Sequence, residues 1–271
     1  AIILLRTDQT GVNLRIRYNQ GFNHTAPERN GRQPRAQECT MKYIGQSDYR
    51  HHSTPRIGVL LTNLGTPEAP TAKALKPYLK QFLWDPRVVE VPRPIWWLIL
   101  NGIILNTRPK RSAEAYKEVW SERGSPLLAH LEDQVAGVSA QLEARFGNRF
   151  IVRGAMRYGS PAISTVLTEM FDAGMEQLVV LPLYPQYGGP TTGSTFDEVS
   201  AELTRRRWLP SFRFVSAYHD DPRYIRAMAD SINAHWAEHG RADKLLLSYH
   251  GMPQRYLIEG DPYHCQCYKT S

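Results

Sequence analysis

The residues best suited to chemistry lie in the stretch 245–253, which reads Leu-Leu-Leu-Ser-Tyr-His-Gly-Met-Pro. Three consecutive leucines are typical of a strand buried on both faces, and the chain leaves this predicted strand directly onto His250 and Gly251. In open parallel sheets the carboxyl ends of the strands border the ligand crevice, so an imidazole here is well placed for chemistry. Gly251 leaves space beside the ring, and Pro253 stiffens the exit. A His that only caps a turn fits this single motif equally well.

Side chains with binding capacity also follow the other predicted strands. They are amides, aromatic rings and one guanidinium, namely Asn63, Arg157, Tyr158, Tyr184, Gln186 and Tyr187. Aromatic rings stack on flat ligands, and an Arg binds carboxylates through two parallel hydrogen bonds. The set therefore predicts a large, flat, apolar ligand with acidic edges, although each Tyr taken alone fits core packing about as well.

Other kinds of site find less support in the sequence. No Gly-x-Gly-x-x-Gly or Walker pattern occurs, and the strand-end loops are poor in the acids that would bind magnesium. The run Thr191-Thr192-Gly193-Ser194 is compatible with an anion at a helix start, but plain helix capping explains it better. Cys265 and Cys267 lack the second pair of a structural zinc site, so we interpret them as surface thiols.

The composition is that of an ordinary globular protein. Of 271 residues, 42% are hydrophobic and 22% are charged, with a net charge of +7. The positive charge forms no basic stripe interleaved with aromatics, so we expect no nucleic-acid partner, whereas a mild positive bias suits a ligand with carboxylates. No apolar run approaches the roughly 20 residues of a membrane span. Three irregularly placed cysteines give no disulfide framework, and a cytoplasmic setting is expected.

Strand and helix patterns alternate along the chain. Strands are predicted over 57–64, 150–156, 178–183 and 212–216, with the Leu245 stretch as a fifth. Helices are predicted between them: one kinked near Pro77, and others over 125–147, 160–174, 193–207 and 221–240. The last helix is expected to bury a face made of Ile225, Met228, Ile232 and Trp236. This alternation predicts an α/β fold with a doubly wound parallel sheet.

The first part of the chain behaves differently. Residues 1–40 show little sustained periodicity and end just before Met41, the first Met of the sequence. We interpret them as material upstream of the natural start, followed by a short polar arm. Residues 1–55 are therefore predicted to be a disordered or non-native leader.

Five segments resemble those of one enzyme family, ferrochelatase of the bacterial type, over about four fifths of the chain. In chain order they are Leu-Thr-Asn-Leu-Gly-Thr-Pro (61–67), Gly-Ser-Pro-Leu (124–127), Met-Arg-Tyr-Gly (156–159), Leu-Pro-Leu-Tyr-Pro-Gln-Tyr (181–187) with Thr-Gly-Ser (192–194), and Ser-Tyr-His-Gly-Met-Pro (248–253) with Gly-Asp-Pro-Tyr (260–263). One departure is Gly188-Gly189-Pro190, where the family usually carries small polar residues.

The resemblance implies two Rossmann-like lobes that hold a porphyrin between them. The first lobe is assigned to 56–241, and 242–271 would open a second lobe with the Leu245 strand as its first strand. The family continues well beyond Ser271, into a lobe that supplies a Glu facing the His. We therefore expect a C-terminally truncated chain with an atypical N-terminal extension.

The resemblance also implies an activity and a set of site residues. The family inserts ferrous iron into protoporphyrin IX in the last step of haem biosynthesis; iron is a substrate, and no permanently bound cofactor is expected. His250 would take pyrrole protons, hold the metal, or do both. The porphyrin would contact Leu64, Arg157, Tyr158, Tyr184, Gln186 and Tyr187, with Arg108, Lys110 and Arg111 as candidates for its propionates.

Residues 92–105, with Trp96 and Trp97, correspond to the family's apolar lip beside the cleft. There the resemblance suggests peripheral contact with the inner face of a membrane.

Two other interpretations of the function stay open. One is a chelatase for another tetrapyrrole or another metal. The choice of metal depends on the groups that surround the direct ligands of the metal, and the sequence does not show these groups. The other is a porphyrin-binding module without catalysis, which a truncated chain would provide.

Overall fold

A computed structural model describes the backbone of residues 2–8 and 11–17, and in full residues 43–46 and 54–271. The chain divides into two units, Ala1–Met41 and Lys42–Ser271, which are treated separately. In the first unit, β1 (Ile2–Asp8) pairs antiparallel with β2 (Gly11–Arg17). We did not predict this hairpin, although Val12, Leu14 and Ile16 alternate along the second strand, as β-branched and apolar residues do in sheets. The remainder of residues 1–42, like 47–53, lies outside the described residues, so the leader stays a prediction.

A four-stranded parallel sheet forms the centre of the second unit. Its strands are β3 (Arg56–Thr66), β4 (Phe150–Gly159), β5 (Met175–Pro182) and β6 (Ser211–Phe214). They lie in the order β4-β3-β5-β6, and every adjacent pair is parallel. The predicted α/β class and all four strands of the first lobe are confirmed.

Helices connect the strands, and two five-residue π-helical segments adjoin these helices. In chain order the helices are α1 (Ala72–Trp84), α2 (Arg93–Ile99), α3 (Leu105–Val119), α4 (Pro126–Phe146), α5 (Ile163–Asp172), α6 (Ser194–Thr204), α7 (Pro222–His239), α8 (Gln254–Ile258) and α9 (Tyr263–Thr270), with π-helical turns at Leu100–Ile104 and Gly189–Gly193. The sequence patterns predicted α1, α4, α5, α6 and α7 but missed α2, α3 and the two short C-terminal helices. Among the described residues, no helix combines the length and apolar character needed to cross a membrane.

Helices cover both faces of the sheet, as a doubly wound architecture requires. Leu60 and Leu61 are adjacent on β3 and therefore point to opposite faces. Leu60 packs in a cluster with side chains of α5 and α6, such as Val166 and Val199. Leu61 packs in a separate cluster with Leu131 of α4. A third cluster joins α1, α2 and α3 beside the carboxyl ends of the strands.

The arm before β3 contacts the same unit. Ile44 forms an isolated parallel bridge with Arg206, and its backbone N–H donates to the Arg205 carbonyl at 2.7 Å. The side chain of Gln46 donates to the carbonyl of Phe171 at 2.5 Å. The described part of the predicted polar arm is therefore held against the end of α6 and α5.

Two predictions for the C-terminal part are wrong. The Leu245 stretch forms no strand, and its leucines are exposed, Leu246 by 89%. An extended segment becomes a strand only when a neighbouring strand accepts its hydrogen bonds, and none does so within residues 54–271. Helix α7 buries no residue completely, and Met228 on its expected core face is 44% exposed. Apolar periodicity predicted its helical state correctly, but burial needs an opposing surface.

Two leucines allow a matched test of this core. We expect Leu60→Ala to lower the free energy of unfolding by about 2–5 kcal/mol, because the Leu60 side chain on β3 is fully buried against α5. Leu246→Ala should change it by less than about 0.5 kcal/mol, because that side chain is already in solvent. Urea denaturation of both variants measures the difference. A large loss in Leu246→Ala would show that the Leu245 stretch is packed in solution.

Candidate active site

An apolar cavity of about 430 Å³ lies between the strand-end loops and the His250 segment. Four of the predicted site residues line it: Leu64, Tyr184, Gln186 and His250. Its other walls come from α1 and its following loop, from the loop after β5, and from α8 and α9, including Phe82, Val88, Pro190, Met252, Tyr256 and Tyr263. The carboxyl ends of the parallel strands thus border a crevice, as the topology predicts.

His250 lies between two cavities. It borders the 430 Å³ cavity and also a larger one of about 640 Å³ formed by the segment from Leu247 to Ser271. Its backbone N–H donates to Tyr263 Oη at 3.2 Å. Within the described part of the chain, its exposed imidazole forms no hydrogen bond or ion pair. The ring is therefore free to exchange a proton with a ligand or to bind a metal ion.

Tyr184 and Gln186 bring polar groups to an otherwise apolar wall. Burial raises the pKa of Tyr184 above the ordinary value, and the neighbouring Tyr158 and Tyr78 raise it further, so the phenol stays neutral. Its buried Oη has no partner among the described residues. The amide of Gln186 is already in use, because its Nε2 donates to Thr270 Oγ1 at 2.9 Å.

The structure places Arg157 and Tyr158 in a buried network rather than in the cavity wall. Arg157 Nη2 donates to Asp85 Oδ2 at 2.8 Å, its Nε donates to Ser194 Oγ at 2.7 Å, and Nη1 lies 3.2 Å from Glu198. Tyr158 is 1% exposed, and its Oη donates to Asp85 at 2.8 Å. Both side chains are engaged in this network, and neither is among the residues that line the cavity beside His250.

Asp85 is the acceptor at the centre of this network. Burial alone would raise the pKa of its carboxyl, but hydrogen bonds from Ser194, Tyr158 and the Arg87 backbone, together with the Arg157 charge, lower the pKa below its ordinary value. Sequence patterns missed this residue, because an acid after a helix carries no signal for partners far along the chain.

The remaining predicted contacts lie away from the cavity. Arg108, Lys110 and Arg111 are exposed on α3 and border neither cavity around His250. Tyr187 borders a separate polar cavity of about 270 Å³ instead, and its backbone N–H donates to Gln266 Oε1 at 2.7 Å. These roles in porphyrin binding stay predictions.

The predicted apolar lip is formed by α2 and the π-helical turn after it. Trp96 is buried there, and its Nε1 donates to the carbonyl of Leu83 at 2.7 Å, so it anchors the lip rather than facing solvent. The outward side chains are Ile95, Trp97, Leu98 and Ile103, each more than half exposed. The sequence alone did not show which of the two tryptophans is buried, because both are apolar and they are adjacent in the chain.

Tyr256 and Tyr263 are cavity residues that the sequence analysis did not select. Tyr256 is buried at the start of the C-terminal helices, and Tyr263 contacts the His250 backbone. The only available signal for Tyr263 was its place in the Gly-Asp-Pro-Tyr segment at 260–263. No residue near Tyr263 in the sequence indicates that its side chain contacts His250.

The ferrochelatase family model matches residues 56–271. The chain belongs to the ferrochelatase family. It is 61% identical over 231 residues to the ferrochelatase of Marinobacter nauticus, covering 85% of this chain and 62% of that one. It is 62% identical to the ferrochelatase of Teredinibacter turnerae, again over 231 residues, with 85% and 63% covered. The ferrochelatase of Idiomarina loihiensis is 61% identical, with 85% and 64% covered. The chain therefore spans less than two thirds of the length of these relatives.

The described residues contain no cluster of three or more His, Cys, Asp or Glu side chains that would hold a metal ion. Cys265 is exposed and Cys267 is buried in α9. The interpretation of both as surface thiols is therefore wrong for Cys267, whose side chain faces inward on the helix.

The Asp85 network generates a stability prediction with a defined dependence on pH. Asp85→Asn should lower the free energy of unfolding by about 3 kcal/mol at pH 7, because Arg157 would lose its buried partner. The carboxyl has a lowered folded pKa, so its contribution is complete above the ordinary pKa of 3.8 and is lost as pH falls toward the folded value. Urea denaturation from pH 7 down to pH 2 should show a steeper loss in the wild type than in the variant, with the difference appearing below about pH 4.

A matched control is Asp133→Asn, which removes an exposed acid paired with Arg123. Surface pairs contribute little, so stability should barely change. If Asp133→Asn is as destabilising as Asp85→Asn, burial of the network does not explain the effect.

Proposed function

We propose that this chain binds protoporphyrin in the cavity beside His250 and contributes that side chain to the insertion of ferrous iron. The single observation that carries the proposal is the placement of an unpaired imidazole against an apolar cavity at the strand ends. A flat, apolar macrocycle fits walls made of Leu64, Phe82 and Tyr184. The names of the relatives, which are ferrochelatases, support the same assignment.

Inserting a divalent ion into a planar macrocycle has two requirements. The ring must bend so that its nitrogens point to the metal, and two pyrrole N–H protons must leave. A wall that fits the bent ring better than the flat ring lowers the barrier to bending. His250 suits the second requirement, because a neutral imidazole accepts a proton near neutral pH.

The propionates need cations at the cavity rim. Arg157 is engaged with Asp85 and Glu198. Arg108, Lys110 and Arg111 are exposed, and their side chains form no ion pair within residues 54–271. We therefore retain these three as the proposed propionate contacts. A porphyrin that reaches them would have to extend beyond the cavity toward α3.

Porphyrin binding without catalysis is the second candidate function. It is favoured by one observation: no Asp or Glu is among the residues that line the 430 Å³ cavity. The family resemblance implies a Glu that faces the His, and a carboxylate is a common general base. Another tetrapyrrole or another divalent metal remains an alternative within the first candidate.

Titration with protoporphyrin beside an iron-insertion assay separates these functions. We expect the 271-residue chain to bind protoporphyrin with one site, followed by absorbance or fluorescence. If insertion is also measured, His250→Ala should lower its rate by at least about 100-fold, the usual effect of losing a general base, while the porphyrin affinity changes much less.

The control for this variant is His235→Ala on the exposed face of α7, which should change neither quantity. Binding with no insertion by the wild type supports the binding module. Absence of porphyrin binding contradicts both functions, and near-normal insertion by His250→Ala removes this residue from the reaction.

We also propose that the lip contacts a membrane surface from the cytoplasmic side. Its four exposed apolar side chains occupy adjacent turns of α2 and the following π-helical segment. Such a cluster is compatible with shallow insertion among lipid headgroups, which would deliver an apolar ring directly to the protein.

Vesicle sedimentation tests this contact. Trp97→Ala should reduce binding to lipid vesicles several-fold, because it removes the largest exposed ring of the lip. Phe146→Ala, at the end of α4, removes a ring of similar exposure outside the lip and should have no effect. Equal losses in both variants would contradict a specific role for the lip.

A further inference from the structure

The carboxylate of Asp261 joins two segments that lie 72 residues apart in the chain. Its Oδ2 accepts a hydrogen bond from the Gly189 N–H at 2.7 Å, and its Oδ1 accepts one from the Tyr263 N–H at 2.9 Å. Gly189 begins a π-helical turn that continues directly into α6. A negative charge is favourable at this end, because the first N–H groups of a helix point outward unpaired.

Gly189 leaves room for this approach, and Gly188 lies next to it in tight contact with other neighbours. A Cβ on Gly189 would lie 3.3 Å from Asp261 Oδ2, closer than ordinary van der Waals contact. A Cβ on Gly188 would lie 3.0 Å from Thr191 Oγ1 and 3.7 Å from the Tyr263 ring.

Asp261 is also linked to the candidate active site through Tyr263. Tyr263, whose backbone is bound by Asp261, accepts the His250 N–H at its Oη. Tyr263 and Gly188 both line the cavity beside His250. A second hydrogen bond, from the Tyr187 N–H to Gln266 Oε1, holds α9 on the same loop. Gln186 adds a third through Thr270.

We propose that Asp261 is a positioning residue that holds the His250 backbone in place at the cavity, acting through Gly189 on one side and Tyr263 on the other. Its carboxylate fixes the Gly-Asp-Pro-Tyr turn on the loop after β5, and the turn then presents the Tyr263 hydroxyl to His250. Only the effect on ligand binding rests on the proposed function. The contact itself can be tested without any ligand.

Amide hydrogen exchange of the 271-residue chain, followed residue by residue by NMR, is the direct test. Asp261→Asn keeps the shape of the side chain but removes its charge, and we expect exchange at Gly189 and at His250 to become about tenfold faster or more. Tyr263→Phe should accelerate exchange at His250 and leave Gly189 unchanged. Glu259→Gln removes a nearby exposed acid of the same turn and should change neither.

A merely structural role makes a different prediction. In that case exchange would rise throughout the second unit, and His250 would respond no more than residues of the central sheet. The ring resonances of His250 provide a second readout: Asp261→Asn should shift them, while those of His235 on α7 stay unchanged. If Asp261→Asn prevents folding, Gly189→Ala weakens the same hydrogen bond by crowding and should produce the same local pattern.

Protoporphyrin titration then connects the contact to binding. We expect Asp261→Asn to weaken protoporphyrin binding about three- to tenfold and Glu259→Gln to leave it unchanged. If the wild type binds no protoporphyrin, the proposed function fails, while the exchange measurement still decides the positioning role. Unchanged exchange at His250 in Asp261→Asn overturns the inference whatever the porphyrin result.

Discussion

The buried carboxylate of Asp85 is the interaction on which this structure depends most. A charge inside a protein is tolerated only when other groups replace its lost hydration, and here four donors do so. These donors come from β4, from the start of α6 and from the turn after α1. One side chain therefore fixes the relative positions of three elements at the carboxyl edge of the sheet. The cavity beside His250 is bounded by loops that this network holds.

The network also changes the role of a residue that looked suited to binding. Arg157 follows a strand at the crevice edge, where a guanidinium would bind a carboxylate of the ligand. In the structure it binds a carboxylate of the protein. An ion pair of this kind supplies local rigidity rather than affinity, because its charges are already neutralised by each other. Outside this network, Arg108, Lys110 and Arg111 on α3 are exposed cations.

The region around His250 is held in a different way. It contributes few buried side chains, and polar contacts from Asp261, Gln266 and Thr270 attach it to the loop after β5. Hydrogen bonds define direction, whereas apolar packing mainly supplies stability. A segment attached through hydrogen bonds can therefore be placed accurately while its leucines remain in solvent. This explains how His250 lies at the cavity although the Leu245 stretch forms no strand.

Local sequence patterns determined the parallel sheet and most helices, but they placed His250 at the crevice through a strand that does not form. Period-two and period-3.6 apolar repeats act over a few residues, so the sequence alone contains them. Positions after predicted strands selected Tyr184 and Gln186, and the family resemblance added Leu64. The structure brings these three residues together around one cavity. Only the tertiary structure decided that Arg157 and Tyr158 turn inward to Asp85, that Trp96 is buried while Trp97 is exposed, and that the Leu245 stretch and α7 lack a covering surface. Each of these outcomes depends on partners distant in the chain, 72 residues away for Asp85 and Arg157, and no local pattern encodes such a partner.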